Sequence, residues 1–198
     1  MKILRAALAT LVFLLLLLAT YYAHVAFLAV DVVLYSALAD AVIAAGISAA
    51  LMLPSRPLRI LNPFEKAQLV VIWLLAGFVF AISVPTVIDR SLSFYILEKL
   101  QQRGGGIRLD RFEEVFTQEY VKEHRLVAVR LTEQQQSGTI EIVGGCVKLT
   151  PRGRFVAEFS RYFRRHFLPR QRLLMGQYSD ALTDPFRHSR DNVDYQCE

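Results

Sequence analysis

A carboxylate and an imidazole interrupt a long apolar stretch. From residue 6 to residue 53 the only Asp, Glu, His, Lys or Arg are His24, Asp31 and Asp40. In hydrocarbon a carboxylate costs at least ~2.5–3.5 kcal/mol, so such a residue is expected to pair or to line a polar site. Asp40 lies about nine residues past the turn at 30–33, about 13 Å along a helix that rises ~1.5 Å per residue, and His24 lies about seven residues before it. That symmetry predicts a His24–Asp40 contact across a hairpin, a candidate intramembrane polar pair that would satisfy both groups. An enzyme could use the two groups together. The alternative is an Asp40 that stays neutral, or that snorkels through water beside a partner.

Other chemistry is hard to find. There is no nucleophile elbow, no glycine-rich phosphate loop and no His-x-x-x-His pair, and the histidines at 24, 124, 166 and 188 are isolated from one another. Gly104–Gly106 lacks the lysine of a phosphate loop. The two cysteines, Cys146 and Cys197, are too few for a disulfide framework and match no zinc spacing. They could pair with each other in an oxidising compartment; otherwise Cys146 is expected as a buried strand residue and Cys197 on a loose tail. No catalytic residue, cofactor or metal is expected.

The elements that must position these residues follow from hydropathy. The chain is 54% hydrophobic, but unevenly so, and charged residues become frequent only from Ser91 onward. Spans of about 20 apolar residues cross ~30 Å of hydrocarbon, and three qualify, at 6–28, 32–53 and 67–88. The first starts like a signal peptide, with Lys2 and Arg5 before its apolar run, but that run continues past Tyr22 and reads as an anchor. Short loops rich in Lys and Arg stay cytoplasmic. Lys2, Arg5, Arg56, Arg59 and Lys66 therefore predict a cytoplasmic N-terminus, and the turn at 30–33, with Asp31 and no base, faces outside. Three spans then place the C-terminal domain outside, in the periplasm if the membrane is a bacterial inner membrane.

Within the second span, Ala37, Ala41, Ala45 and Ala49 recur every four residues, with Ser36, Ala44 and Ser48 on a neighbouring stripe. Small residues let helix backbones approach closely in lipid. This is a candidate helix-packing face, for the first helix, the third, or a partner subunit.

Beyond the spans, 91–103 has Leu92, Tyr95, Ile96, Lys99 and Leu100 at helical spacing and stops at Gly104. Asp110, with Glu113 three residues on, predicts a capping box opening a second helix, and a third is expected over 123–135. Two alternating runs, 138–143 and 146–150, flank Gly144-Gly145 and predict a β-hairpin with a two-residue turn. Thr150 and Pro151 then cap and open a last helix running to Pro169. This order, with Leu149, Thr150 and Gly153 after the second strand, resembles a winged-helix domain over 90–168. The expected fold is an α-helical membrane protein, with a transmembrane module (1–89), a small α+β winged-helix-like domain (90–168) and a tail (169–198) whose Leu173, Leu174 and Met175 dock before it turns polar.

DNA-binding winged helices need bases on the third helix and the wing. Here Arg125 and Arg130 face Glu123 and Glu133, and no Lys or Arg lies between Leu131 and Val147. The bases sit on the last helix instead: 148–172 holds eight Lys and Arg against Glu158 alone. Arg161, Arg164 and Arg165 are a candidate patch for an anionic partner such as lipid headgroups, or else a solvated face. Phe155, Phe159, Phe163 and Phe167 are expected to close the domain's core. The expected function is a non-catalytic accessory or scaffold subunit of a membrane complex in cell-envelope synthesis or export. Its expected partners are membrane lipid and a larger membrane protein, with anionic lipid as a further contact and no nucleic acid. The alternative is a membrane-anchored regulator that binds nucleic acid.

Overall fold

Residues 2–27 contain no glycine or proline, so nothing interrupts a helix. In the computed structural model, which describes residues 2–187 and Ser189, they form α1 (Lys2–Phe27). A short turn leads to α2 (Val33–Met52), and a 3-10 turn (Arg56–Ile60) to α3 (Pro63–Ala81). α3 starts four residues before the apolar span because its N-terminus is capped. Asn62 Oδ1 accepts from the Glu65 amide at 2.8 Å, Glu65 Oε2 accepts from the Asn62 amide at 2.8 Å, and Pro63 takes the first position. Pro85 lacks an N–H and would crowd the carbonyl of Ala81. The backbone responds with a π turn (Ile82–Thr86), and Thr86 Oγ1 donates to the freed Ala81 oxygen at 2.7 Å. One more turn, Val87–Arg90, follows. Three helices, Lys2–Phe27, Val33–Met52 and Pro63–Arg90, are long and apolar enough to cross a membrane.

The chain divides into two compact units, Met1–Glu123 and His124–Glu198. In the first, α1, α2 and α3 form an antiparallel bundle. Phe13 and Trp73 are fully buried and stack at 5.6 Å, and Trp73 Nε1 donates to Thr10 Oγ1 at 3.1 Å. Ala41, Ala44 and Ala45 are buried in the same cluster. Leu58 and Leu61 plug one end. That same end gathers the bases: Lys2 pairs with Glu65 at 2.8 Å, Arg5 donates to the Pro57 carbonyl, and Lys66 to that of Leu53. The outer surface is apolar, with Leu4, Leu8, Leu11 and Leu15 exposed.

After the bundle comes α4 (Leu92–Gln102), capped by Ser91, whose Oγ accepts from the Phe94 amide. The capping box expected at Asp110 and Glu113 does not form. Asp110 is drawn to Arg108 instead, with its carboxylate 2.6 Å from the guanidinium, and the chain enters the helix through a 3-10 turn (Leu109–Arg111). The helix itself, α5 (112–123), contains a π turn at Val115–Tyr120. Tyr95 of α4 packs on Tyr120 of α5 at 4.6 Å.

The second unit opens with α6 (Leu126–Gln136), three residues later than the sequence suggests, because Arg125 adopts a left-handed conformation (φ 45°) and breaks the run. β1 (Ile140–Val143) and β2 (Cys146–Leu149) pair antiparallel in the register Ile140 to Leu149. Gly144 and Gly145 turn between them with φ of 58° and 79°, the pattern of a type I′ turn. α7 (Pro151–Phe167) follows. The residues after it do not simply dock and trail off: β3 (Arg172–Leu174) and β4 (Gln177–Ser179) make a second hairpin, which leaves Leu173 and Met175 exposed.

Thr150 ties β2, α7 and the start of β1 together. Its Oγ1 accepts from the Gly153 amide at 3.0 Å and donates to the Gly138 carbonyl at 2.8 Å, while its amide donates to the Thr139 carbonyl. Cys146 heads β2, half-buried rather than buried, and carries no free thiol. Cys197 lies outside the described residues, as does His188.

Candidate functional site

The hairpin of α1 and α2 brings His24 and Asp40 together. His24 Nδ1 lies 2.7 Å from Asp40 Oδ1, in a hydrogen bond that links the C-terminal turn of α1 to the second turn of α2. The Asp40 residue is 1% exposed and the His24 side chain 19%. Asp40 Oδ2 is buried and has no hydrogen-bond partner among the described residues, and neither has Ser48 Oγ two turns further along α2. A proton exchanged with Asp40 along this bond passes through the imidazole. Nothing else acidic or basic bonds to the pair among the described residues, and no group of three or more His, Cys, Asp or Glu there could hold a metal ion.

The small-residue face of α2 is turned inward, against the chain's own helices. Ala37, Ala41 and Ala45 are at most 3% exposed, and Ala49 is partly buried against the same core. The closest approach is at Gly77 of α3, where an added Cβ would stand 2.6 Å from Ala41 Cβ. Between these helices no room is left for a partner subunit along the stripe.

The most connected polar cluster in the first unit centres on Lys99, which is 4% exposed. Its Nζ lies 2.7 Å from Glu119 Oε2 and 2.6 Å from Glu123 Oε1, while Tyr95 donates to Glu123 at 2.9 Å and Arg103 to Glu119 at 2.9 Å. These bonds fasten α4 to α5. Hydrogen bonds from Lys99 hold both carboxyls below the ordinary glutamate range, with help from Arg103 at Glu119 and Tyr95 at Glu123. The same bonds raise Lys99 well above an ordinary lysine. The signal was present in the sequence: a lysine in register with Leu92, Tyr95 and Ile96 on an apolar stripe needs a buried partner.

A pH dependence follows. Carboxyls depressed by folding stabilise α4 and α5 above their unfolded pKa of ~4.3, and that stability is lost as pH falls through the lower folded values. The raised lysine contributes fully below its unfolded pKa of ~10.4, and its share is lost as pH rises through the folded value. Amide exchange in α4 and α5 should therefore be slow and flat across the neutral range and speed up in acid. Lys99→Met should speed exchange at neutral pH and flatten the acid limb. Unchanged profiles in the variant would show that the cluster does not hold these helices.

On α7 the phenylalanines do not close a core. Phe155, Phe159, Phe163 and Phe167 are 69%, 57%, 43% and 64% exposed; Phe163 stacks on Phe167 at 5.2 Å and Phe159 tilts against Phe163 at 6.1 Å. The side of α7 that packs is the one with small residues: Gly153 meets the Thr139 carbonyl, and Ala157 and Ser160 line a groove of about 370 Å³ with Thr183 and Phe186. Arg161 and Arg164 border that groove, and Arg165 pairs with Asp184 at 2.7 Å. In the other helix of this unit, Arg130 is paired with Glu133 at 2.7 Å. Along the hairpin, Glu141 stands opposite Lys148.

No known protein family matches this chain, and neither curated proteins nor solved structures yield a match.

Proposed function

We propose that the chain is a non-catalytic accessory subunit of a membrane complex, of the class that serves cell-envelope synthesis or export. Its three long apolar helices would be the anchor, embedded in a bacterial inner membrane with the N-terminus in the cytoplasm. The second unit would be the docking part, on the periplasmic side. One observation carries this reading: among the described residues from 124 onward only Thr139 and Gly153 are buried. A unit that buries almost no apolar surface of its own gains little stability from folding alone, so a surface supplied from elsewhere must complete it. The first hairpin offers a place for one, since Ile142, Val147 and Leu149 are about half exposed on one face while Glu141 and Lys148 occupy the other.

The order of helices and strands over 90–168, with the Leu149, Thr150 and Gly153 junction, supports a winged-helix-like reading of this region. On that reading β1 and β2 are the wing. Its lack of basic residues suits a protein partner better than DNA, because phosphate contacts need Lys or Arg there. The bases gathered at one end of the bundle support the orientation.

Location separates this reading from a nucleic-acid-binding regulator. A reporter active only outside the cytoplasm, fused after residue 198, should be active, and one active only inside should be silent. The reverse result, together with salt-sensitive duplex binding that depends on Arg125 and Arg130, would replace the accessory subunit by the regulator.

A further inference from the structure

We propose that α7 lies on the membrane surface, with its aromatic face in the boundary between headgroups and acyl chains and its arginines among anionic lipid headgroups. The inference deepens the reading above, because it rests on the long apolar helices being the anchor, and it names what covers this face.

The geometry favours a flat occupant. Phe155, Phe159, Phe163 and Phe167 are each four residues apart, and at ~100° per residue each step rotates the side chain by about 40°. The stripe therefore sweeps an arc of about 120° along the helix instead of running straight. A helical partner or a narrow groove wants a seam repeating every ~3.5 residues. A broad arc, filled in by Val156 at 47% exposure and widened by Tyr162 at 55%, fits a soft plane. Another side of α7 meets the Thr139 carbonyl at Gly153 and borders the groove it shares with 183–186.

Charge selects among flat occupants. Five arginines on α7, at 152, 154, 161, 164 and 165, stand against Glu158 on the helix and against Asp184, which pairs with Arg165. A second copy of the helix would bring like charges together. An anionic bilayer is complementary, and a basic helix with one aromatic face is the composition that binds it.

The test uses the full chain reconstituted into vesicles of phosphatidylcholine with phosphatidylglycerol, or of phosphatidylcholine alone. Phe159→Trp places a fluorophore on the aromatic face, and Tyr162→Trp is a second variant should the first fail to fold. Trp73, fully buried, gives the wild-type background. With brominated acyl chains in the anionic vesicles, the added emission should shift to the blue and be quenched about twofold, as expected for burial ~5–10 Å deep. Quenching should weaken without phosphatidylglycerol, in high salt, and when Arg161, Arg164 and Arg165 are all replaced by Gln.

Aqueous emission without quenching in both vesicle types overturns the proposal. So does a blue shift that bromine does not quench and that grows with protein density, which would mean that another protein or a second copy covers α7. Failure of the anchor itself reads out separately, as wild-type protein that does not float with the vesicles after an alkaline carbonate wash.

Discussion

Gly77→Leu should unpack α2 from α3 and lower the stability of the bundle by about 3 kcal/mol or more, the upper end for overpacking. The first added carbon would already stand 2.6 Å from Ala41 Cβ and 3.4 Å from Ala41 Cα, with the Phe13 ring at 3.7 Å. Leucine extends that clash into the stack of Phe13 on Trp73. Between apolar helices in lipid there is little hydrophobic drive to hold them together, so association depends on this close contact. Gly77→Ala should cost about 1–3 kcal/mol, and Ala41→Gly added to it should restore much of the loss, a coupling that independent sites would not show. Gly46, on α2, has nothing within 4 Å of its added Cβ. Gly46→Ala should therefore be neutral or stabilise by up to about 1 kcal/mol, from helix propensity alone. Thermal unfolding in detergent, followed by the Trp73 signal, reads all four. Equal stabilities for Gly46→Ala and Gly77→Ala would mean that the seam between α2 and α3 is not packed in this way.

Gly153→Ala should have the largest effect in the second unit, and in the direction opposite to helix propensity. Alanine favours a helix interior over glycine by about 1 kcal/mol. Here, however, its Cβ would stand 1.9 Å from the Thr139 carbonyl oxygen and 2.8 Å from the carbonyl carbon. That oxygen cannot swing away cheaply, because it accepts from the amide of Thr150. Either α7 lifts from the hairpin or the hairpin loses its tie to Thr150. A net loss of about 3 kcal/mol is expected, seen as collapse of amide protection in β1 and β2 while the bundle is untouched. Full protection of the hairpin in Gly153→Ala would contradict the junction described.

These two glycines also mark what the sequence could and could not disclose. The three long helices were legible, because an uninterrupted apolar run has few alternatives. So was the hairpin at Gly144-Gly145, where two consecutive positive φ angles call for glycine. Thr150 and Pro151 announced a helix start by the same local logic. The start of α3 was also written in the sequence, in Asn62, Pro63 and Glu65, but apolarity alone places it later; the cap and the hydrophobic run have different limits. The box at Asp110 failed for a related reason, since a nearby arginine competed for the carboxylate. Spacing about a turn put His24 and Asp40 at similar depth, and the structure sets them 2.7 Å apart. Periodicity gave no warning that the phenylalanines of α7 are bare. Four phenylalanines at four-residue spacing share a face whether that face is covered or open, and only the surrounding packing tells the two apart.

An accessory subunit must be held in a larger membrane assembly. Native membranes solubilised in mild detergent should release the 22.5 kDa chain in a complex with one larger integral membrane protein at fixed stoichiometry. Ile142→Asp combined with Val147→Asp, on the open face of the hairpin, should leave the chain in the membrane but free of that protein. A chain that runs alone in every mild detergent, with its hairpin protected from amide exchange in the absence of any partner, would contradict it.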